Sequence, residues 1–374
     1  MKKNPLEGIL KWYSERKMSL NTTNELLSDL KKGKMVVLMD DEDRENEGDL
    51  ILPAENVSPE AINFMAMHGR GLICLALTEE HCDKLKLDQM VKTNKSKHET
   101  AFTVSIEAAS GITTGISAKD RSRTIEMASN PQAQSSDIVQ PGHIFPLKAE
   151  GGGVLNRSGH TEASIDLARL SGFHPAAVIC EIMNEDGSMS RRPDLEKFCE
   201  KHKLKIGTIA DLINYRLTNE KSIELISESS IKNKYGEFSF FVYKDSLLNE
   251  VHYALKMGEI KPAEPTLVRV QQISIKHDIF KSSDFGERWS LEDAMEKVSI
   301  SENGLIVLIS SDLTQPDAGI EENISSSDTD KRRIGVGSQI LKEFGVSKIR
   351  LLGAEAKYPS LSGFDLEVVE FISN

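Results

Sequence analysis

Cysteine is scarce in this chain of 374 residues, and its distribution excludes several kinds of site. The sequence has four cysteines, none of them in a Cys-x-x-Cys pair, and none occurs after Cys199. Such spacing excludes a disulfide framework and favours free buried thiols in a cytoplasmic protein. It also leaves residues 200–374 without any thiolate that could bind zinc.

Long apolar runs and excess positive charge are also missing. No stretch of about 18 apolar residues is present, so no transmembrane helix is predicted. The N-terminus lacks the apolar core of a signal peptide. The net charge is −12, which argues against a nucleic-acid partner, because phosphate contacts need clustered Lys and Arg. A small anionic substrate held by a few local groups remains compatible with this charge.

What is present is ordinary globular composition, with 39% hydrophobic and 28% charged residues. The length predicts two domains. We place the junction in the polar stretch 217–233, which gives a first domain over 1–218, with an extension over 1–20, and a second over 219–374. Short apolar runs alternate with helical patterns, so the fold class predicted is mixed α/β: a mixed sheet with surrounding helices, then a smaller α/β domain.

The predicted elements follow from apolar runs and capping signals. In the first domain we predict strands at 35–39, 72–77, 102–108 and 176–183, and helices at 22–32, after Ser58-Pro59, and at 162–170. In the second we predict strands at 236–244, 266–275, 304–311 and 348–353, and helices at 290–298 and 336–345. Residues 312–331 form a Ser/Asp-rich segment that is typical of a disordered loop.

An acidic run, "DDEDRENEGD" at 40–49, holds seven carboxylates directly after a strand. Most such runs are solvated faces. A strand end, however, is where α/β folds place ligand loops, and converging carboxylates suit magnesium, which usually takes only one or two of them. Arg44 could offset part of the charge, while Asp40 and Asp41 are interpreted as structural.

A second motif, "GGGVLNRSGHTEASIDL" at 151–167, leads from three glycines into a helix. A helix N-terminus preceded by Arg157 and Ser158 is suited to binding an anion. The plain alternative is a helix entry with Thr161 as N-cap. His160 could be a metal ligand, a base or a phosphate contact.

Two further residues are candidates for acid–base chemistry. His143 lies in "QPGHIFPL", and Glu181 ends a strand-like run, where burial can raise a carboxyl pKa. For each, a structural hydrogen-bonding role is the alternative. The segment "GITTGISAKDRSRT" at 111–124 contains Thr114 and reads as a Gly/Thr-rich loop, either solvated or a mobile lid.

Taken together, these motifs carry a family resemblance. Over residues 22–215, "DDEDRENEGDL", "FTVSIEAASGITTGISAKDR", "PGHIFPL", "GGVLNRSGHTEASIDL" and "CEIMNEDG" occur in order, and the chain resembles 3,4-dihydroxy-2-butanone 4-phosphate synthase of riboflavin biosynthesis. The resemblance implies conversion of ribulose 5-phosphate to dihydroxybutanone phosphate and formate. It also implies a magnesium cofactor, with manganese as an alternative, and a homodimer whose active sites lie near the subunit interface.

The resemblance also implies residue roles. Glu45 and His160 would hold the metal. The implied substrate contacts are Arg44, Glu45, Asp49, Thr114, Arg157, Ser158, Gly159, His160, Thr161 and Glu181. The implied catalytic residues are Glu47, Asp49, His143 and Glu181. Ser158 stands where the family commonly has glycine, a change that adds a hydroxyl near the phosphate.

The second domain resembles GTP cyclohydrolase II through "YGEFSFFVY", "LVRVQQ", "RIGVGSQILKEFGVSKIRLLG" and "GFDLEVVEFI". That family binds zinc with three cysteines, and this domain has none, so no zinc is expected and Asp330 and Arg332 are interpreted as remnants. A structural or regulatory role, sensing of a nucleotide or flavin, or docking of a separate GTP cyclohydrolase II are the alternatives. A bifunctional enzyme, and a wholly non-catalytic regulatory chain, are the less favoured readings.

Overall fold

A computed structural model of the chain describes residues 20–41, 44–96, 98, 100–246, 250–262, 264–281, 288–301, 303–309, 328–355, 361 and 364–374. It divides the chain into two compact units, Met1–Ile213 and Asn214–Asn374, which are described separately. The predicted extension up to residue 19 lies outside the described residues, as do the side chains of Asp330 and Arg332. The loop predicted over 312–331 lies outside them up to residue 327, and its last four residues are not a loop, because they begin the helix Asp328–Glu343.

The first unit is built on one mixed sheet of seven strands. Their spatial order is β4-β5-β3-β6-β2-β1-β7. The pairs β3–β5 and β1–β7 are parallel, and the other neighbours are antiparallel. The strands are β1 Val36–Met39, β2 Gly48–Pro53, β3 Cys74–Thr78, β4 Ile106–Ala108, β5 Ile138–Ala149, β6 Ala176–Glu181 and β7 Lys205–Thr208.

Two of the predicted helices of this unit begin at capping residues. Thr22 and Glu25 form a reciprocal capping box, and the Ser58 side chain accepts a hydrogen bond from the Ala61 amide, so one orphan amide in the first turn of each helix has a side-chain acceptor. The helices are α1 Thr23–Leu30, α2 Pro59–Phe64, α3 Glu79–Leu85, α4 Ala118–Ser129, α5 His160–Leu170 and α6 Arg192–His202. A further helix, α7 Ile209–Asn219, runs across the boundary between the units.

The core explains why the central strands read as unbroken apolar runs. Every residue of β1, all of β2 and nearly all of β6 are buried. Strands covered on both faces lose the alternation of apolar and polar residues. The four cysteines are buried and free, as their distribution predicts.

Three predictions for this unit need correction. The predicted strand 102–108 contains only the three residues of β4. The predicted loop 111–124 contains the start of α4, whose N-cap is Ser117, so Asp120, Arg121 and Arg123 are helical. Finally, Gly159 rather than Thr161 is the N-cap of α5, and no side chain caps that helix.

The second unit is also a seven-stranded mixed sheet, with order β14-β13-β11-β12-β10-β9-β8. The polar stretch chosen as the domain junction is ordered and forms β8, which pairs with β9 over its whole length. The strands are β8 Ile223–Asn233, β9 Gly236–Asp245, β10 Glu250–Met257, β11 Thr266–Gln272, β12 Gly304–Ile309, β13 Lys348–Leu352 and β14 Glu367–Ile372; the helices are α8 Leu291–Ser301 and α9 Asp328–Glu343.

Among the described residues, none of the helices combines the length and the apolar character that a membrane crossing requires.

Candidate active site

The acidic run folds around its first carboxylate. Asp40 is buried at the end of β1, and its oxygens accept hydrogen bonds from the backbone amides of Glu45 at 3.0 Å and Glu47 at 2.8 Å. Arg44 donates to Asp40 at 2.9 Å and to Glu45 Oε2 at 2.6 Å. Asp40 is therefore the acceptor around which the turn that carries Glu45 folds.

Arg191 fixes the same turn from outside and was not predicted. Its guanidinium donates to the backbone carbonyls of Glu45, at 2.6 Å, and of Asn46. Asn46 has a φ of 54°, a left-handed conformation that asparagine tolerates better than most residues. No local motif marks Arg191, because it lies far along the chain, beside the start of α6.

His160, the first residue of α5, points into this turn. Its Nε2 lies 3.2 Å from the carbonyl oxygen of Leu38, and a carbonyl can only accept, so the proton is on Nε2 and Nδ1 carries a free lone pair. Nδ1 lies 3.9 Å from Glu45 Oε2 and 4.0 Å from Asp49 Oδ1. Burial lowers the pKa of His160, which keeps the ring neutral and able to bind a cation.

These donors suit a divalent cation. One potential ligand atom from each of Asp40, Glu45 and His160 lies within 4.8 Å of the others. Two carboxylates and a neutral imidazole, whose other nitrogen is fixed by a carbonyl, are an appropriate donor set for magnesium or manganese. Glu45 and His160 are the two predicted ligands, and Asp40 is the addition that the structure makes.

Negative charge accumulates beside this cluster. Asp49 on β2 lies directly opposite Glu181 on β6. Burial raises the pKa of Asp49 well above its usual range, and repulsion from Glu181 and Glu45 raises it further. Burial, with repulsion from Glu45, also raises the pKa of Glu47. Carboxyl groups whose pKa values rise in this way can carry protons near neutral pH.

The glycine-rich motif brings its residues to the same edge through α5. Arg157 donates to buried Glu162 at 2.6 Å and to the carbonyl of His98 at 2.9 Å. A Cβ at Gly159 would lie 2.4 Å from the Arg157 guanidinium, so any larger residue there would displace that side chain. Ser158 and Thr161 flank this N-terminus, with Thr161 buried, and the free amides of the first helical turn are available to an anion.

His143 is not in this cluster. It lies on β5, and its Nδ1 is 2.7 Å from Glu107 Oε2. Phe145 on β5 and Ile179 on β6 both pair with Cys74 on β3. His143 lies two residues before Phe145, and Glu181 lies two residues after Ile179. They therefore share one end of the sheet but are separated by two strand spacings, roughly 10 Å.

Thr114 lies on the exposed segment before α4, on the side of His143. Its neighbours are fixed, because Asp120 accepts hydrogen bonds from Thr113 Oγ1 at 2.7 Å and from the Gly115 amide at 3.1 Å. These contacts anchor the segment to the first turn of α4. The site residues thus form two groups: one around Glu45 and His160, including Arg44, Glu47, Asp49 and Glu181, and one around His143.

The comparisons with known proteins agree with this architecture. The sequence profile of 3,4-dihydroxy-2-butanone 4-phosphate synthase matches residues 24–215, and that of GTP cyclohydrolase II matches residues 224–373. A 3,4-dihydroxy-2-butanone 4-phosphate synthase of Pseudomonas aeruginosa is 51% identical over 363 residues, covering 95% of this chain and 99% of its own. A riboflavin biosynthesis protein RibBA of Aquifex aeolicus is 48% identical over 381 residues, covering 96% and 93%.

Solved structures give the same result. RibBX from A. baumannii, described as a two domain 3,4-dihydroxy-2-butanone 4-phosphate synthase, superposes with a TM-score of 0.80 at 45% identity, covering 95% of this chain and all of its own. A 3,4-dihydroxy-2-butanone 4-phosphate synthase in complex with two magnesium ions matches 54% of this chain and 99% of its own, at 42% identity and a TM-score of 0.52.

Fold and site together define a two-domain chain, a synthase-type unit followed by a cyclohydrolase-type unit. The chain belongs to the 3,4-dihydroxy-2-butanone 4-phosphate synthase family. The predicted resemblance and the predicted mixed α/β fold are confirmed.

Proposed function

We propose that the first unit converts ribulose 5-phosphate to 3,4-dihydroxy-2-butanone 4-phosphate and formate in riboflavin biosynthesis. The observation that carries this proposal is the convergence of Glu45, His160, Asp49 and Glu181, drawn from four different elements, on one end of the sheet. Such a group of proton carriers around a cation-binding donor set fits a reaction that needs repeated proton transfers on a polyhydroxylated substrate.

Glu45 and His160 would hold magnesium, or manganese, with Asp40 in reach. The bound cation would supply Lewis-acid stabilisation of negative charge that develops on the sugar oxygens. The relative solved with two magnesium ions supports this assignment.

The chain's own residues would bind the substrate and move its protons. Arg44, beside Glu45, would orient a substrate oxygen, while Arg157 and the amides of Ser158 and Thr161 would receive the phosphate. The Gly159 amide is already engaged, because it donates to the Arg157 carbonyl at 2.9 Å. Enediol formation breaks a C–H bond and leaves its electron pair on the substrate; Glu47 would be within reach to accept that proton.

Asp49 and Glu181 would complete the proton transfers. The raised pKa of Asp49, caused by burial and by the charge of Glu181, would keep it protonated and able to donate when water leaves the sugar. Glu181, held at its Oε2 by the Leu72 amide at 2.8 Å, would act as its partner. The water lost in this step is regained when formate is released, so the reaction needs no external oxidant.

A homodimer fits the remaining group. His143 lies roughly 10 Å from Glu181, and exposed apolar side chains surround it: Leu72 is 42% exposed, Val139 48% and Ile116 55%. Val139 pairs with Glu107, the partner of His143, and Ile116 follows Gly115. Burying these side chains against a second copy would remove them from water and bring His143 to an active site near the interface.

The second unit would not open GTP. It has no cysteine, and its cavity of about 220 Å³ is lined mainly by apolar side chains, including Val270, Ile309, Leu341 and Leu351. The polar Arg269 at its wall donates to the carbonyls of Leu352 at 2.8 Å and Trp289 at 3.2 Å. A structural, ligand-sensing or docking role, the last toward a separate GTP cyclohydrolase II, is the function that these observations support.

A bifunctional enzyme is the second candidate, because the similar protein of Aquifex aeolicus carries the name RibBA. The test is formate release with either ribulose 5-phosphate or GTP as the only substrate. We expect magnesium-dependent formate from the sugar phosphate and none from GTP. Elemental analysis should find zinc well below one per chain; formate from GTP together with one tightly held zinc would establish the bifunctional alternative instead.

A further inference from the structure

Glu107 is a buried carboxylate on β4 that the sequence motifs did not single out. Only 6% of the residue is exposed. Its Oε2 lies 2.7 Å from His143 Nδ1, and its Oε1 accepts a hydrogen bond from the Thr124 hydroxyl at 3.3 Å. Thr124 in turn accepts from the Ala108 amide at 3.0 Å, so the carboxylate is held from β4 and from α4 at once.

The segment before α4 closes over this carboxylate. Gly115 has a φ of +89°, and a Cβ there would lie 2.2 Å from Glu107 Oε2. The Asp120 carboxylate holds the segment in place through Thr113 and the Gly115 amide. Glycine at 115 is therefore required twice, for its backbone conformation and for the space that Glu107 occupies.

The backbone before His143 is fixed too. Gly142 packs so tightly on β4 that a Cβ would lie 2.0 Å from the carbonyl oxygen of Ile106, and its amide donates to Ser105 Oγ at 3.1 Å. The imidazole itself keeps 44% of its side-chain surface exposed. A rigid base with one open face is the arrangement expected of a group that exchanges protons with a bound molecule.

We infer that Glu107 is the positioning residue of His143, which it holds in the tautomer with the proton on Nδ1 so that Nε2 is the exchanging atom. A carboxylate can only accept, which assigns the proton to Nδ1 and leaves the lone pair of the neutral ring on Nε2. The inference rests on the proposed function, in which His143 takes part in turnover.

The proton step follows from this assignment. Nε2 forms a bond to hydrogen as a C–H or O–H bond of the substrate breaks, and the electron pair of that bond stays on the substrate. The imidazolium that results is stabilised by the Glu107 carboxylate, and the same proton returns from Nε2 in a later step. The carboxylate touches neither substrate nor metal and acts only through the ring, as the outer members of other His–carboxylate pairs do.

The first test is a double-mutant cycle on formate release by the full-length protein with magnesium. Glu107→Ala should lower kcat about 10²-fold with little change in KM, because a misplaced catalytic group costs about that factor. Glu107→Gln keeps an acceptor oxygen at Nδ1 and should recover much of the loss. In a His143→Ala background, Glu107→Ala should cost less than about 2-fold, because its effect passes through the ring. Equal losses in both backgrounds would overturn the inference.

The second test reads the tautomer without turnover. Nitrogen spectra of histidine-labelled protein, assigned by the signal missing from His143→Ala, should show the proton on Nδ1 in the wild type and in Glu107→Gln, and a mixture in Glu107→Ala. An unchanged tautomer in Glu107→Ala would refute the positioning role. If His143→Ala keeps full turnover while the tautomer behaves as expected, the catalytic role proposed for His143 fails instead, and Glu107 is left as a purely structural partner.

Discussion

The two units are both seven-stranded mixed sheets with helices, yet they treat their polar side chains in opposite ways. In the first, Asp49 faces Glu181 and lies beside Glu45 and His160, so the fold crowds acidic groups together. In the second, Arg269 beside the cavity donates hydrogen bonds to two backbone carbonyls. A sheet can form from its apolar pattern alone, whereas an active site also needs charged groups that cost the fold stability.

The sharpest way to break this comparison is to remove one of the crowded acidic groups of the first unit. Glu45→Gln keeps the size of the side chain but removes a predicted cation ligand, and we expect formate release to fall about 10³-fold or more, in line with roughly 4 kcal/mol of lost stabilisation. Glu126→Gln, an exposed carboxylate that pairs with Arg123, is the matched control. Near wild-type turnover by Glu45→Gln would refute the metal assignment.

A second change tests whether the His143 group depends on packing. Gly115→Ala should lower turnover by about 10–10²-fold, because the new methyl group displaces Glu107. Gly172→Ala is a matched control: Gly172 has nearly the same φ, +88°, but nothing within 4 Å of the Cβ position. Both variants carry the same backbone strain, so an equal loss of turnover in the two would show that the packing on Glu107 is unimportant.

A third experiment removes the second unit. Residues 1–219, which retain α7 to its last residue, should release formate within about 3-fold of the full chain if the second unit contributes no catalytic group. Thermal unfolding of the fragment serves as the control for folding. A well-folded fragment without activity would make the second unit essential to the synthase.

The smallest effect concerns a histidine pair away from the site. His81 Nε2 donates to the Ala128 carbonyl at 2.7 Å, and His174 Nε2 lies 3.4 Å from His81 Nδ1. Burial lowers the pKa of both rings, and the neighbouring His81 lowers the pKa of His174 further. Groups with a lowered folded-state pKa stabilise the fold above their ordinary value near 6.5 and lose that contribution as the pH falls.

We therefore expect Tm to fall between pH 7.5 and 5.5, and to fall by less in His174→Gln, which removes one of the two rings that must charge. Calorimetry or circular dichroism at several pH values measures this. Parallel pH dependence in the two proteins would mean that other groups govern the acid limit.

Sequence reasoning was most successful where burial leaves a pattern in the residues. The central strands and the capped helices follow from apolar runs and from Ser or Thr before them. Strand β8 escaped prediction because almost all of its side chains are exposed, so neither a buried run nor an alternation marks it. Strand β5 was missed because Pro141, Gly142 and Pro146 read as turn residues.

The site was predictable only as separate motifs. The approach of His160 to Glu45 and Asp49 depends on how α5 packs on the sheet, and no spacing in the sequence encodes it. Glu107 lies inside an apolar strand run and has no motif of its own, although a carboxylate within such a run is the signal that could have identified it. Cytoplasmic location, the homodimer and the individual residue roles remain predictions.

The carboxyl groups of Asp49 on β2 and Glu181 on β6, which face each other, also affect the abundance of the protein in a cell. Keeping Asp49 opposite Glu181 costs folding free energy, because burial and the neighbouring carboxylate raise the pKa of Asp49, and a cation or substrate that binds the native state would offset that cost. A ligand at a hundred times its Kd adds about 2.7 kcal/mol to the stability of the native state. Such a shift lowers the unfolded fraction about 100-fold, and shifts of only about 1–2 kcal/mol already change the abundance of a protein several-fold. Metal supply would therefore govern the lifetime and abundance of the protein as well as its rate.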